Sequence, residues 1–313
     1  MIITFIAKLL RSLATFFVVT FATFAIMYSD AAGIARGTLS MQATADDVAA
    51  QMIKLGLDRP LPVQYGEWLV GVFTGDLGRS FYTSESVVSA LSNRAPVTLT
   101  LVVITLLLTV VISVVLGVTA AVRGGWIDRI LQFLSVLGTA IPAFVVAIGL
   151  MFTFAIFLRV LPATGYIRPE QSVDLWSKSL VLPVLALLIG SVASAAQQFR
   201  TAVLDTLSRD YVRTLRARGV REREVIFRNV LRNSAAPGLT VLSLQTFSLL
   251  GGAVFIETVF ALGGMGQLAT SSAQIQDVPM VMGTVLVTIV IVLVVNFTGD
   301  LLIALLNPKA RTR

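Results

Sequence analysis

The chain has 313 residues, 56% of them hydrophobic and 13% charged, with a mean hydropathy of +0.87. A water-soluble domain carries roughly 25% charged residues, so this chain cannot solvate its surface on all sides and must place long apolar runs in a bilayer. It has no cysteine and no histidine, which excludes disulfides, thiol nucleophiles, zinc sites with Cys or His ligands, and imidazole bases.

Six runs meet the length of about 20 apolar residues that a membrane-spanning helix needs: 9–28, 98–121, 130–158, 181–199, 239–261 and 280–306. They show no barrel-like alternation, and backbone in lipid must pair internally, so helices are expected. The first run follows Lys8 and includes Arg11, and no Ala-x-Ala cleavage site follows it; an uncleaved first helix is expected. The third is the longest and contains Pro142, which should kink it. Around Pro142 a hinge and a static kink are equally consistent with the sequence.

Lys and Arg placement gives an orientation. The N-terminus, the 123–129 loop, the 200–232 segment and the end of the chain together hold 16 of the 24 basic residues but only 6 of the 17 acidic ones. That side is expected to be cytoplasmic, with both termini on it. The net charge of +7 therefore reflects membrane topology and not nucleic-acid binding. The expected organisation is a first transmembrane helix (1–29), an extracytoplasmic segment (30–96), a five-helix core (97–306) with a cytoplasmic loop at 200–236, and a cytoplasmic tail (307–313). The fold class is thus an all-α polytopic membrane protein with six transmembrane helices and a small extracytoplasmic insertion after the first.

Within the insertion, 47–55 has helical spacing, with Thr44 or Asp46 as cap and Gly56 as stop. Residues 64–73 read as a second amphipathic helix with Tyr65, Trp68, Leu69 and Val72 on one face. The 200–236 loop predicts an elbow. Ser208 would cap a helix begun by Asp210, and Tyr211, Val212 and Leu215 would share a face. Gly219 would end that helix in the left-handed conformation. A second helix would follow over 222–233, and Pro237 would sit in the first turn of the next span. The loop's nine arginines would suit topology and anionic lipid as well as they would suit docking.

The residues Asp210-Tyr211-Val212-Arg213-Thr214, then Ala217-Arg218-Gly219, then Leu231-Arg232-Asn233 and Pro237 resemble the cytoplasmic EAA-type loop of binding-protein-dependent ABC transporter permeases. The family is the dipeptide/oligopeptide/nickel one, and the pattern is that of the dipeptide permease B type. The resemblance continues through 55–69 and 75–80, Arg94-Ala95-Pro96-Val97-Thr98-Leu99, Gly251-Gly252-Ala253-Val254 with Glu257 and Phe260, Gly264-Met265-Gly266, Asp277 and Pro279, Asn296 and Asp300, and Asn307-Pro308-Lys309. Departures are Tyr28 to Gly33 where the family usually shows Pro-Gly-Asp-Pro, Gly263 in place of a proline, and Asn307 in place of Asp.

The resemblance implies the type I ABC importer permease fold. It makes the elbow a coupling helix that seats on an ATPase, through Asp210, Tyr211, Val212, Arg213, Thr214, Ala217, Arg218, Gly219 and Glu222. The implied partners are a second homologous permease in a heterodimer, two cytoplasmic ATPases and an extracytoplasmic solute-binding protein, in the inner membrane. Peptides are the implied cargo, with nickel chelates, haem or glutathione as alternatives. No Gly-x-x-x-x-Gly-Lys-Ser/Thr loop occurs, so ATP hydrolysis would reside on a partner. The chain is expected to be no enzyme and to need no cofactor or metal. A self-sufficient secondary transporter would carry paired mid-span charges and inverted repeats, whereas Glu257 stands alone.

Glu257, Pro142 and Gln197 are the candidates for the translocation path or a gate. The nearness of Glu257 to the Gly263 turn favours a structural acid. For Gln197, with Gln198 and Arg200 at the expected end of the fourth span, an interfacial role is favoured.

Overall fold

The computed structural model describes residues 2–306. The chain is helical nearly throughout; among the described residues the only strand-like pairing is a single antiparallel bridge between Arg79 and Ser86. Helix α1 (Ile2–Met27) passes through a tight turn at Tyr28–Asp30 into α2 (Ala31–Gly37). Asp30 caps α2, its carboxylate accepting from the Gly33 amide at 2.8 Å. Helix α3 (Ala45–Leu55) opens with a capping box between Thr44 and Asp47 and stops at Gly56, whose φ is 70°. Helix α4 (Leu61–Thr74) follows. Long helices α5 (Val87–Arg123), α8 (Val173–Leu207), α11 (Leu231–Val259) and α13 (Val278–Leu306) alternate with shorter ones: α6 (Gly125–Ala140), α7 (Ala143–Leu150), α9 (Asp210–Ala217), α10 (Glu222–Glu224) and α12 (Met265–Gln274).

Among the described residues four helices are long and apolar enough to cross a membrane: Leu10–Gly37, Val87–Arg123, Val173–Leu207 and Val278–Gly299. A fifth span results if Gly125–Ala140 and Ala143–Phe157 count as one, although they meet at 93°. The expected fifth run, 239–261, falls largely within α11, and the expected tail at 307–313 lies outside the described residues. The expected third span is therefore not a kinked helix but a broken one. Ile141 is extended (φ −91°, ψ 120°), as a residue before proline prefers, and Pro142 (ψ 140°) starts α7 from outside the helix. Beyond α7 the helix widens to π-type turns at Met151–Phe157.

The chain forms two compact units. One comprises Leu99–Leu262 with the residues from Val292 on; the other comprises Ile2–Thr98 with Gly263–Ile291. In the first, α8 is central, packing on α6, α7 and α11. Small residues allow this close approach: a Cβ at Gly138 would lie 2.7 Å from the Ala193 Cβ, and one at Gly117 would lie 2.7 Å from the Ala196 carbonyl oxygen. Asp128 on α6 and Arg200 on α8 form a bidentate ion pair that is mostly shielded from solvent.

The second unit has an apolar core of Phe24, Ile34, Val48, Leu57, Val278 and Met282. Phe24 stacks on Tyr28, and Tyr65 shares a hydrogen bond with Thr20 at 2.8 Å. Asp277, just before α13, is buried and accepts from the Ser80 hydroxyl at 2.5 Å and the Phe81 amide at 3.1 Å. The Gly75-to-Ser80 and Asp277-x-Pro279 motifs, far apart in sequence, are thus one hydrogen-bonded corner.

Candidate functional site: an elbow and a polar cavity on the same two helices

The elbow forms because its sequence places one apolar stripe among charges. In α9, Val212 is fully buried with Val203, Val225 and Val230, and Tyr211, Leu215 and Val220 pack around them. Burying a valine stabilises by roughly 1.5–2 kcal/mol; Val212 supplies that from α9 itself, and Val203 of α8 with Val225 and Val230 forms the socket that holds an eight-residue helix unable to persist alone. The outward face is charged: Asp210 is 99% exposed and Arg213 76%. Asp210 stands in the first turn, where the helix dipole favours an anion, and Arg216 in the last.

Gly219 follows with φ 76° and open space where a Cβ would lie, as a left-handed stop requires. Arg216 then closes the turn on Glu222 with two hydrogen bonds, Nη2–Oε1 at 2.6 Å and Nε–Oε2 at 3.1 Å. The guanidinium holds the Glu222 carboxyl below its usual value, and the carboxylate in turn raises Arg216.

Three sequence expectations are corrected here. Ser208 does not cap α9; its hydroxyl donates to the Asp205 carbonyl at 2.9 Å, ending α8, and the extended residue before α9 is Arg209. The second helix does not stop near 233. After Glu222–Glu224 it widens to π-type turns at Val225–Val230 and continues without interruption as α11, so position 237 lies inside the helix and not in its first turn. And α8 runs on to Leu207, so Gln197, Gln198 and Arg200 are inside it and not at its end.

The elbow is tied to both long helices. The Asn233 amide of α11 donates to the Tyr211 hydroxyl at 3.1 Å, Val212 packs on Val203 of α8, and the Ser234 hydroxyl of α11 donates to Thr206 Oγ1 of α8 at 3.0 Å, joining the two helices beside the elbow. Those helices, α8 and α11, also wall a cavity of about 340 Å³ with the break at Pro142. Its polar lining is Thr139, Ser191, Ser194, Gln245 and Ser248, and no lining residue is charged. At a helix break the carbonyls and amides of the flanking turns lose their intrahelical partners. Such backbone is tolerated at membrane depth only where protein or water covers it.

Of the three path candidates, only Pro142 lines this cavity. Glu257 is fully buried near the end of α11, with its carbonyl accepting from the Leu262 amide at 3.0 Å. Gln197 has a buried side-chain oxygen without a hydrogen-bond partner among the described residues. Sequence reasoning missed the Asp128–Arg200 pair and the hydroxyl and amide lining of the cavity. On α8, Gly190, Ser191 and Ser194 form a small-residue face that serves two ends: all three line the cavity, and a Cβ at Gly190 would lie 3.3 Å from the Gly138 carbonyl oxygen, so the same face packs closely on α6.

The chain matches, over residues 113–312, the family described as binding-protein-dependent transport system inner membrane component, and over 1–102 the family describing its N-terminal part. A protein of Brucella abortus (strain 2308) named as a peptide transport system permease is 35% identical over 270 residues, 86% of each chain. The glutathione transport system permease protein GsiC of Pectobacterium atrosepticum is 34% identical over 313 residues, 98% of each. An inward-facing structure of the MetNI methionine ABC transporter superposes with a TM-score of 0.55 at 19% identity, covering 70% of this chain and 97% of that one. At that identity the likeness concerns the fold.

Proposed function

Because the chain belongs to the inner-membrane component family of binding-protein-dependent transport systems, as a permease subunit of an ABC importer, we propose that it forms half of a path for di- or oligopeptides, driven through the elbow at 208–224. The single observation that carries the mechanism is that one pair of helices, α8 and α11, both holds the elbow and walls the polar cavity. A push on the exposed face of α9 passes through buried valines and hydrogen bonds into those helices. It therefore reaches the cavity as rigid-body motion, not as side-chain rearrangement.

In this reading α9 docks on a cytoplasmic ATPase through Asp210, Arg213 and Arg218, while Tyr211, Val212, Thr214, Ala217, Gly219 and Glu222 hold its shape. A second, homologous permease completes the path, two ATPases supply the nucleotide-driven closure, and a solute-binding protein delivers cargo from outside. Both termini and the elbow are cytoplasmic, as the basic residues favour, and 30–96 is extracytoplasmic. The peptide cargo is supported by relatives named for peptide transport; glutathione, itself a peptide, is the cargo named for another.

The test is purification of the chain from its native membrane, followed by identification of what accompanies it. An ATPase, a second permease and ATP-dependent peptide uptake after reconstitution are expected. Gly219→Pro removes the left-handed stop and should abolish uptake. Intact uptake in that variant would sink the coupling role of the elbow.

A further inference from the structure

Gln245 is 8% exposed, lines the cavity at the Pro142 break, and takes no hydrogen bond among the described residues. Two of its neighbours differ. Ser191 is committed to Thr109 at 2.9 Å and to the Leu187 carbonyl at 2.8 Å, and Thr139 donates to the Ser135 carbonyl at 2.9 Å. A carboxamide with no protein partner on the wall of a cavity keeps its donor and acceptor for whatever enters, water or a passing solute. The same wall holds the start of α7, where the amides of Ala143 and Phe144 also have no acceptor among the described residues. The cavity thus offers donors and an acceptor, no charge, and a volume of about 340 Å³, at the lower end of small-molecule sites (roughly 300–1,000 Å³).

We infer that Gln245 reads the cargo: its carboxamide pairs with a peptide bond of the passing molecule, oxygen to N–H and NH₂ to C=O. Every peptide bond except one to proline presents both a donor and an acceptor. The site selects for backbone amide and ignores side-chain charge, since it has none of its own. The inference rests on the peptide reading given above.

The test uses the reconstituted complex with its binding protein, ATP, a dipeptide, and the ester analogue in which the peptide N–H is replaced by oxygen. Gln245→Leu should raise KM for the dipeptide about threefold to tenfold, the worth of one or two ordinary hydrogen bonds. It should shrink the wild-type preference for dipeptide over ester by a similar factor. Any preference of the binding protein is common to both complexes and cancels. The KM ratio between variant and wild type should be equal for acidic and basic dipeptides.

An unchanged KM, or an ester penalty equal in variant and wild type, overturns the inference while leaving peptide transport standing. A wild-type complex that takes up no peptide overturns both. If Gln245→Leu fails to assemble, Gln245→Met carries the same test, since it keeps nearly the same length and volume and has neither an amide donor nor a carbonyl acceptor.

Discussion

Gly219 and the Arg216–Glu222 clamp define the bend at the scale of single residues. Without the glycine, a side chain at φ 76° would strain the turn by roughly 1–2 kcal/mol. The clamp is worth less, because Arg216 and Glu222 are 44% and 52% exposed; under about 1 kcal/mol is expected. The Glu222 pKa is held below its ordinary 4.5 in the folded chain. Its contribution is therefore complete above that value and is lost as pH falls through the lower, folded one. Melting curves of wild type and Glu222→Gln should differ slightly at pH 7 and converge only well below pH 4.5. The glycine stop, like the Thr44 cap and the Gly56 stop, was legible in the sequence because such signals act within four residues. The Asp128–Arg200 and Ser80–Asp277 contacts span 72 and 197 residues and exist only once the helices have packed.

At the scale of elements, the close approach of α5 to α8 depends on Gly117. A Cβ there would meet the Ala196 carbonyl oxygen at 2.7 Å and the Arg200 amide nitrogen at 2.9 Å, both backbone atoms in a helix that cannot yield locally. Gly117→Val should destabilise by about 1–3 kcal/mol, seen as a lower melting temperature in detergent. Gly149→Ala, where nothing lies within 4 Å, should be neutral or slightly stabilising. Apolar length gave the existence of the long helices but not their ends. Helix α8 outruns its apolar run by eight residues at each end, because capping by Ser172 and packing of Val203 set its ends, not hydropathy. Pro142 announced an interruption, but its angle depends on Gly138 and Gly190, which let α6 press against α8.

At the scale of the whole molecule, the membrane topology can be read with unusual ease, because the chain has no cysteine and any introduced thiol is the only one. Met41→Cys lies on an exposed loop before α3 and Ser208→Cys on the exposed approach to α9. In spheroplasts, a membrane-impermeant maleimide should label the first and spare the second until the membrane is opened. Labelling of both, or of Ser208→Cys alone, would overturn the proposed orientation.

The 93° break at Pro142 also bears on how the chain enters the membrane during synthesis. A helix needs about 20 apolar residues to cross, and the two pieces on either side, Gly125–Ala140 and Ala143–Phe157, hold 16 and 15. Neither is a sufficient insertion signal alone, whereas together they are. The segment is therefore expected to enter as one stretch, its bend following once α8 is in place; glycosylation-site mapping of chains truncated before and after α8 checks this. On that order the cavity, whose walls include α8 and α11, would be absent from the nascent chain and form only when the later helices dock.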